Sequence, residues 1–175
     1  MARNVEIKAH LPDRSAVRER ALARASAAPT LIGQVDTFFA TSTGRLKLRT
    51  FEDGTGELIA YERPDTPAPS TSHYLRHRCT DARNLRTTLS MALDVLGEVR
   101  KTRELILIGS TRVHLDHVEG LGEFIELEVV LQDGQSEAVG ERIAAALMSE
   151  LGVHPDRLIA ESYFDLLNAD RHGRA

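Results

Sequence analysis

Basic residues recur at every second position in several short segments of this sequence. They are Arg45, Lys47 and Arg49 in one segment, Arg76 and Arg78 in another, and Lys101 and Arg103 in a third. Side chains alternate between the two faces of a β-strand, so residues at this spacing point to the same side. Arginine offers a planar fork that matches phosphate oxygens, and lysine offers a compact charge. The segments therefore predict strands whose charged faces suit a polyanion.

Carboxylates follow the same spacing. The segments that carry them contain Glu6 with Lys8, Arg112 with His114 and Asp116, and Glu126 with Glu128. Hard oxygen ligands of this kind are those that Mg²⁺ and Mn²⁺ prefer. His114 is open to two interpretations: a general base or phosphate contact, or a wall residue fixed by Asp116.

Short strands, mostly neighbours in sequence, must position these residues. Strands are predicted at 4–11, 34–40, 45–51, 56–63, 74–79, 99–108, 111–118 and 123–132, and helices at 13–28, 81–95, 136–151 and 155–167. Each helix has an apolar stripe that must be buried, and the apolar strand faces are its partners. We predict one α+β domain over 1–170, a closed eight-stranded antiparallel β-barrel with helices packed outside, and a disordered tail at 171–175.

Closure of this sheet would bring the charged strand faces into one interior. Buried charges are costly unless they are paired, so such an interior is expected to be wet and to hold a polyanion with metal ions. For a single strand the alternative is a solvated face of an ordinary sandwich. Six strands whose polar faces carry mainly Arg, Lys and Glu favour the shared interior.

Composition limits the class of protein further. The 175 residues fit one domain, and the net charge of −4 argues against a general nucleic-acid binder. Cys79 is the only cysteine, so no internal disulfide can form. Neither an apolar signal segment nor an apolar run of about 20 residues is visible. We expect a cytoplasmic protein without nucleic-acid or membrane partners.

The ordered set of segments resembles the CYTH domain of the triphosphate tunnel metalloenzymes, named for class IV adenylyl cyclase and thiamine triphosphatase. The matching segments are 5–8, which resembles the Glu-x-Glu-x-Lys signature, and 45–49, 57–63, 100–103, 112–116, 120–122, 126–128 and 162–167. Asn4 departs from the pattern, because it stands at the first Glu of the signature. Asn keeps an oxygen donor but loses a charge, so a cation should bind more weakly there.

The resemblance implies an eight-stranded tunnel that binds a triphosphate with Mg²⁺ or Mn²⁺. The predicted metal ligands are Glu6, Asp116, Glu126 and Glu128. The predicted phosphate ligands are Lys8, Arg45, Lys47, Arg49, Arg63, Arg76, Lys101, Arg103 and Arg112. Of these, Lys8, Lys101 and Arg103 are also the predicted catalytic residues. A homodimer is expected only by analogy with relatives.

Three activities stay open at this point. The first is metal-dependent hydrolysis of tripolyphosphate, thiamine triphosphate or a nucleoside triphosphate. The second is a class IV adenylyl cyclase, which needs an adenosine pocket. The absence of Trp and the few aromatic residues near the basic strands favour hydrolysis. The third is a polyphosphate-binding module without turnover, for which Asn4 is the motivation.

Overall fold

The computed structural model describes residues 2–62 and 70–172, and it describes side chains for 4–62 and 74–169. Within these residues there are eight β-strands, β1 to β8 in chain order: Ala2–His10, Thr30–Phe39, Arg45–Phe51, Gly56–Glu62, Ser70–Cys79, Val95–Ile108, Thr111–Val118 and Gly122–Val130. The same residues hold four α-helices, α1 to α4: Arg14–Leu22, Ala82–Ala92, Glu137–Leu151 and Tyr163–His172. None of these helices is long and apolar enough to cross a membrane.

The strands form one antiparallel sheet in the order β1-β5-β4-β3-β2-β6-β7-β8, and β8 pairs again with β1. The β1–β5 ladder is the shortest, with five residue pairs from Ala2↔Tyr74 to Glu6↔Ser70. Beyond Glu6, the described part of β1 pairs with β8 only. The sheet is therefore curled into a barrel. Along the second half of β1, β5 forms no ladder with β1, so the wall is open there among the described residues.

A non-strand segment covers this opening. Leu158 forms an isolated antiparallel bridge with Ala9, and the Ile159 N–H donates to the Lys8 carbonyl at 2.9 Å. These bonds satisfy backbone groups of β1 that β5 leaves without a ladder partner. The predicted α+β fold of eight antiparallel strands with outer helices is confirmed. The predicted full closure of the barrel is wrong for the described residues, because the β1–β5 ladder ends at Glu6.

Apolar strand faces point out of the barrel and are buried beneath helices, as the alternation predicts. A core cluster beneath α1 and α3 contains Val5, Ile7, Val113, Leu115, Ile125, Leu127, Leu147 and Leu151. A second cluster lies on the inner face, since Phe38, Val99 and Tyr163 also line the barrel interior. It joins α4 to the sheet through Phe38, Val99, Val118, Phe124, Ile159 and Tyr163. Burial of one such side chain stabilises the fold by about 1.5–3 kcal/mol. This packing fixes which strand faces point into the barrel.

The last predicted helix, at 155–167, is wrong as one continuous element. The chain instead makes a 3-10 turn at Pro155–Arg157, runs extended past β1, and begins α4 at Tyr163. The backbone bond from Ile159 to β1 requires the extended conformation. Ser162 then caps α4, because its hydroxyl accepts from the Asp165 N–H at 3.2 Å. Of the predicted tail, 171–172 belong to α4 and 173–175 lie outside the described residues.

Candidate active site

A cavity of about 450 Å³ lies inside the curled sheet and is lined by residues from all eight strands. Among the predicted ligands, its wall contains Glu6, Lys8, Lys47, Arg49, Arg76, Lys101, Arg103, Arg112, Glu126 and Glu128. The predicted convergence of charged strand faces on one space is therefore confirmed.

Two other predicted ligands do not line this wall, and a third lies outside the described residues. Arg45 lies towards one end of β3, with its Nη1 3.4 Å from Asp165 Oδ2. Asp116 is completely buried behind the cavity-lining residues. Arg63 lies outside the described residues. The roles predicted for these three residues stay predictions.

Asp116 binds two cations of the cavity wall. Arg103 donates from Nε to Oδ1 at 2.7 Å and from Nη2 to Oδ2 at 2.6 Å, and Lys101 Nζ donates to Oδ2 at 3.1 Å. Burial alone would raise the pKa of Asp116, but Arg103 and Lys101 outweigh it and lower that pKa to about 2. Asp116 is therefore ionised, and it fixes Lys101 and Arg103 at the wall. Metal binding by Asp116 would require these bonds to be exchanged.

A second carboxylate, Asp36 of β2, fixes the cations of β3 in the same way. Arg49 donates from Nε to Oδ1 at 2.8 Å and from Nη2 to Oδ2 at 2.9 Å, and Lys47 Nζ donates to Oδ2 at 2.9 Å. Burial opposes the charge on Asp36, but Arg49 and Lys47 hold its pKa well below the usual 3.8. Asp36 therefore forms salt bridges with both cations of β3.

His114, Glu126 and Glu128 form a third group, whose ligand atoms all lie within 4.8 Å of one another. His114 Nδ1 is 3.6 Å from Glu128 Oε1 and 3.9 Å from Glu126 Oε2. This nitrogen is buried and has no hydrogen-bond partner. Burial, and then the charge of Arg103, lower the pKa of His114, so the ring is neutral at neutral pH. Two carboxylates beside an unpartnered imidazole nitrogen are donors that fit a divalent cation.

Two glutamates of the cavity are also paired with arginines. Arg112 Nη1 lies 3.4 Å from Glu128 Oε2. Arg76 Nη1 and Arg78 Nε lie 3.5 and 3.6 Å from Glu57 Oε1. The wall therefore alternates cations with counter-charges, which reduces the cost of holding so many charges in one space.

Tyr163, the first residue of α4, positions two of the predicted catalytic lysines. The Nζ atoms of Lys8 and Lys101 lie 4.4 and 4.8 Å from the centroid of its ring. Its hydroxyl donates to Asp116 Oδ2 at 3.1 Å. Sequence reasoning placed Tyr163 only in the closing motif. That motif was the one signal for Tyr163 in the sequence. Its partners lie far away along the chain, so no short-range spacing links them to it.

Aromatic side chains form a further part of the wall. Phe38, Phe51, Tyr61 and Tyr74 line the cavity, and Tyr61 and Tyr74 are direct partners in the β4–β5 ladder. The few aromatic residues in the sequence predicted no such surface, and the structure corrects this. A flat ring is a surface on which a base can stack.

Comparison with known proteins agrees with this architecture. The CYTH domain family profile matches residues 2–163. A search of curated proteins found no significant match. Among solved structures, the PH1012 protein from Pyrococcus horikoshii superimposes with a TM-score of 0.82 at 19% identity, over 93% of this chain and 98% of that chain.

Two further structures carry functional descriptions of their own. An adenylate cyclase candidate from Vibrio parahaemolyticus has a TM-score of 0.78 at 18% identity, over 94% of this chain and 97% of that chain. An adenylyl cyclase candidate from Hippeastrum, described as having a dominant triphosphatase activity, has a TM-score of 0.62 at 18% identity, over 95% and 96%. At such identities the structures support the fold alone. Since the family profile spans nearly the whole sequence, this chain belongs to the CYTH domain family.

Proposed function

We propose that this protein binds a triphosphate-bearing small molecule in its barrel and hydrolyses it with the help of a divalent cation. The observation that carries the proposal is the convergence of cations from β1, β3, β5, β6 and β7 with the carboxylates of β8 on one cavity. Lysine and arginine side chains grouped in this way suit phosphate oxygens. In this proposal the curled wall encloses the triphosphate along the barrel, as a tunnel.

The cations would grip the phosphates from two sides. Lys101 and Arg103, fixed by Asp116, would bind the phosphates from β6. Lys47 and Arg49, fixed by Asp36, would bind from β3. Because these side chains are already held in place, little rearrangement is needed when substrate binds. Such preorganised charge is the main source of catalysis in phosphoryl transfer.

Glu126 and Glu128, with Glu6 beside them, would hold Mg²⁺ or Mn²⁺. Glu6 is the direct partner of Glu128 in the β1–β8 ladder, and both line the cavity. A divalent cation bound there supplies neutralising charge for the phosphate oxygens. Asn4 lines the same wall, and its Oδ1 is buried with no hydrogen-bond partner. Asn4 Oδ1 is thus an uncharged oxygen ligand at the position where the family signature has a carboxylate.

A class IV adenylyl cyclase is the second candidate, and the aromatic part of the wall favours it. Tyr61 and Tyr74 could stack on an adenine, while Lys47 Nζ, 5.5 Å from the Tyr61 ring centroid, could bind the adjoining phosphates. The ribose 3′-hydroxyl would then displace pyrophosphate from the α-phosphate. A polyphosphate-binding module without turnover remains the third candidate because of Asn4.

Product analysis separates these candidates. The purified protein is incubated with tripolyphosphate, thiamine triphosphate or ATP, each with Mg²⁺ or Mn²⁺. Release of phosphate supports the hydrolase, and cyclic AMP with pyrophosphate as the main products would overturn it. Binding with neither product supports the binding module. A Glu126→Gln protein purified in parallel is the control, because contaminating phosphatase would survive that substitution.

A further inference from the structure

The ligand group on β7 and β8 contains a nitrogen as well as oxygens. The family resemblance implies a set of carboxylates only, without His114. We propose that His114 Nδ1 binds the divalent cation directly, together with Glu126 and Glu128, and that this mixed set selects a first-row transition ion such as Mn²⁺ over Mg²⁺. The inference rests on the proposed function for the use of the site, and it adds a ligand and a selectivity to it.

The distances around Nδ1 suit a shared ion better than a hydrogen bond. Nδ1 lies 3.6 Å from Glu128 Oε1 and 3.9 Å from Glu126 Oε2. An N–H···O bond needs a separation of about 2.7–3.2 Å. Two metal bonds of about 2.1 Å each can join atoms up to about 4.2 Å apart. Both separations therefore exceed a hydrogen bond and lie within the reach of one ion.

The burial of His114 gives an independent reason. The residue is 5% exposed, and among the described residues its Nδ1 is one of two buried side-chain atoms without a hydrogen-bond partner. Leaving a buried polar atom unpaired costs about 1–3 kcal/mol. A bound ion between this nitrogen and the two carboxylates satisfies all three groups. The unpaired nitrogen is thus explained as a ligand position.

The remaining oxygens of the two glutamates already face cations. Arg112 lies 3.4 Å from Glu128 Oε2, and Lys8 lies 3.7 Å from Glu126 Oε1. Arg103 contacts Glu126 Oε2, the oxygen that faces His114, so an ion bound there would share this oxygen with Arg103. The arginine and lysine contacts orient each carboxylate, much as outer partners orient the ligands of other metal sites. In Glu128 this leaves Oε1 directed at His114.

The chemistry of the donors decides the selectivity. Imidazole nitrogen suits first-row transition ions, whereas Mg²⁺ prefers oxygen ligands in octahedral geometry and retains several waters. Replacing one carboxylate oxygen by a nitrogen removes a charge and adds a ligand that Mg²⁺ binds poorly. We expect affinity to rise from Mg²⁺ to Mn²⁺ to Co²⁺.

Metal binding without any phosphate substrate tests the inference. Calorimetry measures Mg²⁺, Mn²⁺ and Co²⁺ binding to the wild type, His114→Gln and His114→Asp. We expect His114→Gln to lose at least about tenfold in Mn²⁺ affinity, because removal of even an outer partner costs about 10–100-fold. His114→Asp should bind Mg²⁺ more tightly and so reduce the preference for Mn²⁺ over Mg²⁺. Misfolding cannot produce such a gain in Mg²⁺ affinity.

His117→Gln is the matched control. It lies on the same strand and also faces one carboxylate, with Nδ1 2.7 Å from Glu123 Oε1, but its side chain is 56% exposed on the outside of the barrel. Its metal affinities should equal those of the wild type.

Pulsed electron paramagnetic resonance of the Mn²⁺-loaded wild type gives a direct readout that needs no variant. A bound imidazole should produce a nitrogen coupling that His114→Gln lacks. No coupling at saturating Mn²⁺, no Mn²⁺ binding, or unchanged affinity in folded His114→Gln would overturn the inference. If selectivity follows the expectation but no triphosphate is hydrolysed, only the proposed function fails.

Discussion

Arg103 and Asp116 are direct partners in the β6–β7 ladder and are joined by two hydrogen bonds, of 2.7 Å from Nε and 2.6 Å from Nη2. Both side chains are buried, and Lys101 and Tyr163 bind the same carboxylate. A pair of this geometry fixes the plane of the guanidinium as well as its position. The β6–β7 pair thus contributes to the interior of the fold and also positions Arg103 in the candidate active site.

Asp116→Asn is expected to destabilise the fold strongly. It removes the carboxylate charge that Lys101 and Arg103 share and leaves Arg103 paired with Glu126 alone, and breaking a buried pair of this kind costs about 3–5 kcal/mol. Urea unfolding at pH 7 measures the change. Glu104→Gln is the control, since its partners Arg14 and Arg18 are 28% and 44% exposed and each pair should contribute about 1 kcal/mol or less. Equal losses in both variants would contradict the role given to Asp116.

Glu126→Gln and Glu128→Gln should instead remove turnover and leave the fold almost intact. Their side chains are 19% exposed to the cavity, and Arg103 keeps its bonds to Asp116 when Glu126 is neutralised. We expect loss of metal-dependent phosphate release with a smaller loss of unfolding free energy than in Asp116→Asn. Phosphate assays and urea unfolding of the same preparations check both parts. Intact kinetics in either variant would remove the tunnel assignment.

The sequence predicted the cavity wall well where strand alternation alone decides it. Lys101 and Arg103 on β6 and Glu126 and Glu128 on β8 were placed on the inner face by their spacing, and they line the cavity. The period of two is a property of the backbone, so it needs no knowledge of the partners of a strand.

Asp116 shows where that reasoning ends. It shares its spacing with Arg112 and His114, which line the cavity, yet it is covered. The cover is Tyr163 from α4, whose hydroxyl binds Asp116. The prediction of one helix over 155–167 missed this packing, because the extended segment before Tyr163 depends on backbone bonds to β1. Contacts between segments so distant along the chain leave no local pattern.

Lowering the pH below the unfolded pKa of Asp36 should reduce its contribution to the free energy of unfolding. The folded pKa of Asp36 lies well below 3.8, because Arg49 and Lys47 outweigh the opposing effect of burial. A group with a depressed folded pKa stabilises fully above its unfolded value and loses this as pH falls towards the folded one. Urea unfolding of wild type and Asp36→Asn should differ by a constant amount above about pH 5 and converge below about pH 4. A constant difference down to pH 3 would contradict it.

Lys47→Met should weaken substrate binding without a large effect on the fold. The substitution keeps the apolar stem and removes a charge-assisted contact worth about 1.5–3 kcal/mol. This corresponds to about a 10- to 150-fold rise in KM for tripolyphosphate. Arg100→Met is the control, because Arg100 pairs with Glu98 on the outside and is 54% exposed. An unchanged KM for Lys47→Met would place the phosphates elsewhere.

Tyr163→Phe and Tyr163→Leu separate two contributions of one side chain. Burial raises the pKa of Tyr163 well above its usual value, so the hydroxyl stays protonated and donates to Asp116. Phe loses only that bond and should cost about 1 kcal/mol in urea unfolding with KM nearly unchanged. Leu also removes the ring that attracts Lys8 and Lys101, an interaction of about 0.5–2 kcal/mol, and should raise KM for tripolyphosphate about 2- to 30-fold above that of Phe. Equal KM values in the two variants would show that the ring does not position these lysines.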